Sequence, residues 1–239
     1  MKRICRNVIT GAALILIAAC AGRVQWPGQL KDSVLLPNRW VLTPVGKQIQ
    51  VGDLPMNMAL SPDARLLAVT NNGFSRQFIS VIDTRTDSVT AELPMAKGFY
   101  GIVFSPDGRF LYASGGADER ILVWRMNGMS VTQDSSILLR NQGAPAKLFP
   151  SGIAVSRDGS MLYVAENRGD CVSQISTGQR TVVRRIAVPA GSFPYDVRIV
   201  HARSKLYVSL WGASAISVID SRAFETKKTI RVGDHPNAM

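Results

Sequence analysis

Histidine and cysteine are both scarce in this sequence, whose 239 residues include two His and three Cys. Two imidazoles exclude a multi-histidine metal site within one chain, and we predict neither a metal nor a cofactor. Three thiols exclude the disulfide frameworks that hold small secreted domains together. Charged residues are also few, at 19%, while 46% of the residues are hydrophobic; this excludes a disordered chain and suffices for one sizeable core.

Sequence motifs of common catalytic sites are missing as well. The chain has no Gly-x-Ser-x-Gly nucleophile elbow, no His-Glu-x-x-His zinc motif, no Walker loop and no Asp-rich calcium loop. No Gly-x-Gly-x-x-Gly run follows a predicted strand. We therefore assign no catalytic residue from the sequence.

The first nineteen residues have the composition of an export signal. Three cations, Lys2, Arg3 and Arg6, precede an apolar run over residues 8–19. At 1.5 Å per residue this run reaches about 18 Å, short of a bilayer core of about 30 Å. The run ends at Ile-Ala-Ala-Cys, which is similar to a bacterial lipobox and predicts lipidation of Cys20. The alternative is a plain secretory peptide that is cleaved after small residues.

Lipidation would place the protein in the bacterial cell envelope, facing the periplasm, with the membrane surface as its first partner. Residues 20–33 would form the tether.

The formal charge is +11, and the first nineteen residues hold three cations and no acid, so the remainder carries +8. Its basic residues are scattered, and export separates the chain from the genome, so we predict no nucleic-acid partner. Cys171 would have no intrachain partner, and we expect it to be buried.

Four segments of the remaining chain repeat one pattern, a polar turn followed by a short apolar strand. They cover residues 60–69, 104–113, 155–164 and 201–208, and the last of them lacks the Ser-Pro-Asp-Gly type of turn. Successive aligned leucines are 44, 51 and 44 residues apart, at Leu67, Leu111, Leu162 and Leu206. Each unit reads as four short strands separated by turn residues, and no amphipathic helix follows residue 20. This periodicity predicts an all-β chain, a β-propeller of four-stranded blades.

The repeated strings Ser-Pro-Asp-Gly-Arg, Leu-Tyr-Val-Ala and Ile-Ser-Val-Ile-Asp resemble those of the YVTN-repeat (lactonase-like) β-propellers over residues 34–239. Residues 36–46 and 232–239 resemble the N-terminal propeller of bacterial two-domain proteins whose other half is an alkaline-phosphatase-like phosphoesterase. The resemblance implies seven blades, whereas about four repeats are present. Since residues 232–239 match the opening of the first repeat at 51–58, we expect a partial propeller over 34–239 that continues in a longer protein. A natural four-bladed ring is the alternative.

The strand order predicts which loops share an end of the blades. Loops between strands two and three, and between successive blades, emerge at one end, called here the loop face; the Ser-Pro-Asp-Gly turns lie at the other end, the turn face. Because binding residues concentrate on loops held by a rigid scaffold, we place ligand or partner candidates on the loop face. These candidates are Asn72, Arg76, Asp118, Arg120, Glu166, Arg168, Tyr195 and Trp211.

Two interpretations of these candidates stay open. The charged ones form either a polar cluster at the channel mouth or hairpin positions that are solvated or paired with each other. The nearby aromatic rings form either a ligand stack or packing between blades; they include Phe99, Tyr100, Phe149 and Phe193. The longer second interval predicts seven extra residues in a loop of this face, near residues 140–148.

We therefore predict a non-catalytic binding or scaffold propeller of a membrane-anchored periplasmic lipoprotein. Its loop face would meet an unknown periplasmic protein, a small ligand or a fused phosphoesterase domain. One alternative is a lactonase-like hydrolase that uses channel-mouth groups such as Glu166 and Arg168. The other is the targeting half of an alkaline-phosphatase-like phosphoesterase whose catalytic domain lies beyond Met239.

Overall fold

The computed structural model describes residues 26–30, 33–43, 45–141 and 143–239. The predicted signal segment, the predicted lipidation site Cys20 and most of the predicted tether lie outside these residues. The chain divides into two compact units, residues 1–48 and 49–239. The first unit contains a three-stranded antiparallel sheet of β1 (Gly28–Gln29), β2 (Val34–Leu35) and β3 (Val41–Leu42).

The second unit consists of four antiparallel sheets, which are the four blades of a β-propeller. In three sheets the strands pair in chain order, and in the sheet of blade 2 the last two strands both pair with the third strand. Blade 1 contains β4 (Pro55–Leu60), β5 (Leu66–Asn71), β6 (Phe78–Asp83) and β7 (Ser88–Pro94). Blade 2 contains β8 (Ile102–Phe104), β9 (Phe110–Ser114), β10 (Arg120–Asn127), β11 (Ser130–Gln133) and β12 (Ile137–Leu138). Blade 3 contains β13 (Pro150–Val155), β14 (Met161–Glu166), β15 (Cys171–Ser176) and β16 (Thr181–Ala187). Blade 4 contains β17 (Pro194–Val200), β18 (Lys205–Leu210), β19 (Ala215–Asp220) and β20 (Glu225–Arg231).

The predicted fold class is confirmed: the described residues form strands, with three short 3-10 helices and no α-helix. These 3-10 helices are Gly116–Asp118, His201–Arg203 and Trp211–Ala213. Within the described ranges, no helix has the length and apolar character needed to cross a bilayer.

The repeated turn is built by its own side chains. In blade 2, the Ser105 hydroxyl donates to Asp107 (2.6 Å) and accepts from the Phe110 amide (2.9 Å), while Asp107 also accepts from the Arg109 amide (3.0 Å). The turns of blades 1 and 3 repeat these bonds. Gly108 has φ +70°, which explains the glycine at this position. The turn of blade 4, which lacks the signature, contains a 3-10 helix instead.

Three apolar clusters lie at the junctions between successive blades, and each combines residues of two blades. Ala68 of blade 1 packs in one cluster with Phe104 and Trp124 of blade 2. The next two junctions repeat the arrangement with different residues. Burial of the blade faces against each other therefore supplies the core, and removing one large side chain from it costs about 2–5 kcal/mol.

The first strands of successive blades approach each other closely. A Cβ atom on Gly152 of blade 3 would lie 2.6 Å from the Cα of Asp196 in blade 4, and one on Gly101 would overlap the Ser151 carbonyl. Hydrogen bonds cross the same gap, since the Ser151 hydroxyl donates to the Tyr195 carbonyl at 2.6 Å. Glycine is thus needed where the innermost strands meet, and this contact sets the starts of neighbouring blades side by side.

The extra residues of the second interval are divided between two places. Part of them interrupts the fourth strand of blade 2, between β11 and β12, and the rest lies in the connection over residues 139–149. Arg140 in that connection forms an ion pair with Glu119, with Nε–Oε2 and Nη2–Oε1 distances of 2.7 Å. The predicted loop is present, and it is tied to the loop that follows the 3-10 helix of its own blade.

Candidate functional site

Four aromatic rings from three blades meet on the loop face. Phe99 lies 5.1 Å from Phe149 and 5.6 Å from Tyr195, in edge-to-face arrangements. Tyr100 lies 5.1 Å from Tyr195. Tyr100 is buried, whereas the other three rings are half-buried. The rings therefore pack between blades, and three of them still present part of their surface to solvent; the ligand stack stays a prediction.

Arg168 completes this cluster. Its guanidinium lies over the Phe149 ring at 5.4 Å from the ring centre, and the side chain is exposed. A cation over an exposed ring contributes about 0.5–1 kcal/mol, enough to orient the arginine. Gly116 lies against the rings, with φ +49°, and a Cβ there would meet Phe149 at 3.4 Å and Phe99 at 3.5 Å. We name the five residues Phe99, Tyr100, Phe149, Arg168 and Tyr195 the aromatic–arginine cluster.

Asn72 supports the start of blade 2 rather than projecting freely. Its side-chain amide donates to the carbonyls of Gly98 (3.0 Å) and Phe99 (3.3 Å). Asn167, at the aligned position of blade 3, donates to the Pro194 carbonyl at 3.3 Å. An asparagine after the second strand thus holds the first strand of the next blade, and Asn72 acts on the aromatic–arginine cluster by positioning Phe99.

The charged candidates are engaged by near neighbours. Asp118 pairs with Lys97 at 3.0 Å. Arg120 donates through Nε to the Asp118 carbonyl at 3.4 Å. Arg76 pairs with Glu92. Asp118 and Arg120, both on blade 2, are thus engaged by neighbouring groups. This agrees with the interpretation in which the charged candidates are paired hairpin positions.

Glu166 lies inside blade 3, because β14 continues through this residue and directs its side chain into the blade. The residue has 0% exposure, and the Ser173 hydroxyl donates to its Oε1 at 3.1 Å. Its Oε2 has no partner among the described residues. Burial raises the pKa of this carboxyl to about 7. A ligand on the loop face reaches this group only if the blade opens.

Trp211 belongs to a second aromatic group at the start of the following repeat. Its ring centre lies 6.4 Å from Phe193 and 4.3 Å from His235, and both Trp211 and Phe193 are 40% exposed. The spacing of the sequence does not indicate the contact between the His235 and Trp211 rings, which are tilted by 42°. Only the return of the chain to the loop face brings the two together.

The turn face, where the sequence suggested no binding residue, also contains cavities. Cavities of about 630 and 660 Å³ lie there, at the junctions of blades 2 with 3 and 3 with 4. One signal was available: Arg157 stands where the first two repeats have Pro62 and Pro106.

In the part of the chain that the structure describes, no group of three or more His, Cys, Asp or Glu residues is placed to hold a metal ion. Cys171 is a buried free thiol, as expected.

Solved structures that match this chain show the same fold at low sequence identity. The chain is 22% identical to hydrazine synthase from Kuenenia stuttgartiensis, with a TM-score of 0.60 over 81% of this chain and 53% of that one. It is 11% identical to a protein from Lactobacillus plantarum, with a TM-score of 0.65 over 86% and 64% of the two chains. It is 14% identical to the β-propeller domain of Cps50 (Swd1) from Myceliophteria thermophila, with a TM-score of 0.59 over 81% of this chain and 60% of that one.

These likenesses concern the fold alone, and the chain spans 53–64% of the length of these three structures. No curated protein matches it. A family profile described as YNCE-like beta-propeller matches residues 1–238, nearly the whole sequence. The four-stranded blades described above have the architecture that this description names. The chain therefore belongs to the YNCE-like beta-propeller family.

Proposed function

We propose that this propeller is a non-catalytic binding module whose aromatic–arginine cluster contacts a partner on the loop face. The observation that carries the proposal is the convergence of Phe99, Phe149 and Tyr195 from three blades, with Arg168 stacked on Phe149. A few residues supply most of the binding energy in protein interfaces, and tryptophan, tyrosine and arginine are enriched among them. A cluster built from three blades is also held in place by the scaffold, which limits the entropy lost on binding.

The proposal includes the location of the module. The lipobox-like sequence before Cys20 supports acylation, which would hold the propeller at the membrane surface on the periplasmic side. Labelling with a radioactive fatty acid tests it. The label should enter the chain and be lost in the Cys20→Ser variant, which should also leave the membrane fraction. Equal membrane association of the variant would reject the lipid anchor.

The hydrolase alternative receives less support. A carboxyl with a pKa near 7 is suited to proton transfer, but Glu166 is fully enclosed, while Arg168 stands at the surface over Phe149. Lactone hydrolysis that disappears in both Glu166→Gln and Arg168→Ala, with folding intact, would reverse this preference. A fused phosphoesterase domain is retained in the proposal as one candidate partner of the loop face.

Site-specific photo-cross-linking in the intact envelope tests the binding role. A photoreactive phenylalanine analogue at Tyr195 should give a discrete cross-linked product, and that product should weaken by about tenfold when Arg168→Ala or Phe149→Leu is added. The same analogue at Arg85, an exposed position in the turn between the third and fourth strands of blade 1, is the matched control and should not give that product. Identical products from both positions, or a product unaffected by both substitutions, would contradict the proposal.

A further inference from the structure

A groove on the turn face lies between blades 2 and 3 and encloses about 630 Å³. Blade 2 contributes Arg109, Phe110 and Tyr112 to its lining, and blade 3 contributes Arg157, Ser160 and Arg180. The volume falls within the range of small-molecule sites in proteins. The groove is at the opposite end of the blades from the aromatic–arginine cluster, so it is independent of the proposed function.

Tyr112 in this groove is a buried residue with an unused polar group. It is 5% exposed, and its hydroxyl has no hydrogen-bond partner among the described residues. Tyr163, the aligned tyrosine of blade 3, is buried to the same degree but donates to the Ser221 carbonyl at 3.2 Å. The Tyr112 ring is buried, but its hydroxyl opens into the groove, where it is available to a bound molecule; the Tyr163 hydroxyl is already engaged.

The next junction shows how the same position is otherwise filled. Phe224 of blade 4 is buried and packs against the Tyr163 ring, with 6.1 Å between the ring centres. Arg180 is the aligned residue of blade 3, and both residues end the turn between the third and fourth strands with positive φ. Arg180 is drawn toward Asp134, to which it donates at 2.8 and 3.1 Å. The groove beside Tyr112 therefore has a guanidinium where the next junction has a ring.

One arginine of the groove is available to an anionic group. Arg109 and Arg180 are paired with Asp107 and Asp134, whereas Arg157 is exposed and has no polar partner in the described part of the chain. The lining carboxylates, Asp107 and Asp158, accept hydrogen bonds from hydroxyls of their own turns (2.5–2.6 Å). These bonds lower the pKa of each carboxyl to about 2 and leave it charged. With Asp134 counted, three carboxylates balance the three arginines, and Arg157 is the arginine of the lining that forms no ion pair in the described part of the chain.

We propose that this groove binds a small organic anion, with a phosphate or carboxylate group against Arg157 and a flat body along Phe110 and Tyr112. The rings of Phe110 and Tyr112 are stacked, with centres 6.1 Å apart and an angle of 26°, and form a flat apolar wall. The Tyr112 hydroxyl, which opens into the groove, donates to the bound anion. Bonds between a hydroxyl and a charged oxygen are stronger than neutral ones, so this contact contributes both affinity and orientation.

Calorimetric titration of the full chain with phenyl phosphate and with benzoate tests the site. At least one of the two should bind saturably. Arg157→Pro, which installs the residue of the first two repeats, and Tyr112→Phe should each weaken that binding by about tenfold or more. Arg85→Ala, an equal charge change on blade 1, and Tyr163→Phe, the aligned tyrosine, are the matched controls and should leave the dissociation constant within about twofold.

Three results would overturn the inference. One is that neither probe binds saturably at concentrations up to about tenfold above the dissociation constant of roughly 1 mM that is expected of such small ligands. Another is equal weakening by Arg85→Ala and Arg157→Pro, which would mean a general attraction of anions to a basic protein. The third is full affinity in Tyr112→Phe together with a melting temperature equal to that of the unsubstituted protein.

Discussion

Arg180 of blade 3 holds Asp134 of blade 2 through two parallel hydrogen bonds, Nη1–Oδ1 at 3.1 Å and Nη2–Oδ2 at 2.8 Å. Asp134 lies in the break between β11 and β12, and Arg125 approaches the same carboxylate at 3.2 Å. The extra residues of blade 2 thus bring a carboxylate to the next blade. Because both side chains are half-buried and the two hydrogen bonds are parallel, this pair is a stronger link than a fully exposed ion pair.

Asp134→Asn should lower the free energy of unfolding by about 1–2 kcal/mol at pH 7. Hydrogen bonds from Arg180 lower the pKa of the Asp134 carboxyl well below its usual value. An acid whose pKa is depressed in the folded state stabilises the protein above its unfolded pKa, and that contribution is lost as the pH falls. Urea unfolding of both proteins at pH 7 and pH 3 measures this; the difference should shrink at pH 3, and a constant difference would contradict the assignment.

The protein should lose stability as the pH rises because Glu166 is buried, and Glu166→Gln should remove this loss since glutamine does not titrate. Burial raises the pKa of Glu166 from 4.5 to about 7, so between these values the unfolded chain loses this proton before the folded one. The parent protein should therefore lose about 3 kcal/mol of stability between pH 4.5 and 7 through this group. In the variant, the free energy of unfolding should fall by about 3 kcal/mol less over this pH range. Urea unfolding at several pH values measures the difference. Parallel pH profiles of the two proteins would mean that Glu166 is ionised in the folded state.

Gly152→Ala should destabilise the protein by about 1–3 kcal/mol, because the added methyl group meets the backbone of Asp196 and the innermost strands of blades 3 and 4 must separate. Gly178→Ala is the matched control, since nothing lies within 4 Å of a Cβ at that exposed turn. Thermal unfolding followed by circular dichroism measures both. The control should change stability by less than about 0.5 kcal/mol, and similar losses in the two variants would reject the close-approach explanation.

Cys171 should resist thiol reagents in the folded protein. Burial among the strands of blade 3 raises the pKa of its thiol to about 12, so almost no thiolate exists at neutral pH. In a chain carrying Cys5→Ser and Cys20→Ser, Cys171 is the remaining thiol. Its reaction with an aromatic disulfide reagent at pH 8 should be slower than in 6 M urea by about a hundredfold or more, as expected for a group protected by folding. Comparable rates would show that blade 3 opens readily.

The blades could be predicted from the sequence because their signals are local. A Ser-x-Asp turn binds its own backbone, and the strands on each side alternate or run apolar over a few residues. The fold class followed from these local signals and is confirmed. The burial of Cys171, expected because an unpaired cysteine is usually buried, is also confirmed. The candidate site was predictable only as a set of loops. The sequence indicated that Phe99, Phe149 and Tyr195 share a face, but not that Glu166 turns inward while its neighbour Arg168 faces solvent.

What the sequence by itself determined was the position of turns and strands, since hydrogen bonds between residues two to five positions apart do not depend on the rest of the molecule. What only the tertiary structure decided was the partner of each side chain across a blade junction. Tyr112 and Tyr163 both follow a buried leucine in the same strand of their blades, yet one hydroxyl is paired with Ser221 and the other is free. The reason is physical: the atoms that satisfy or leave open a buried group belong to the next blade, about fifty residues away, and only blade packing brings them into reach.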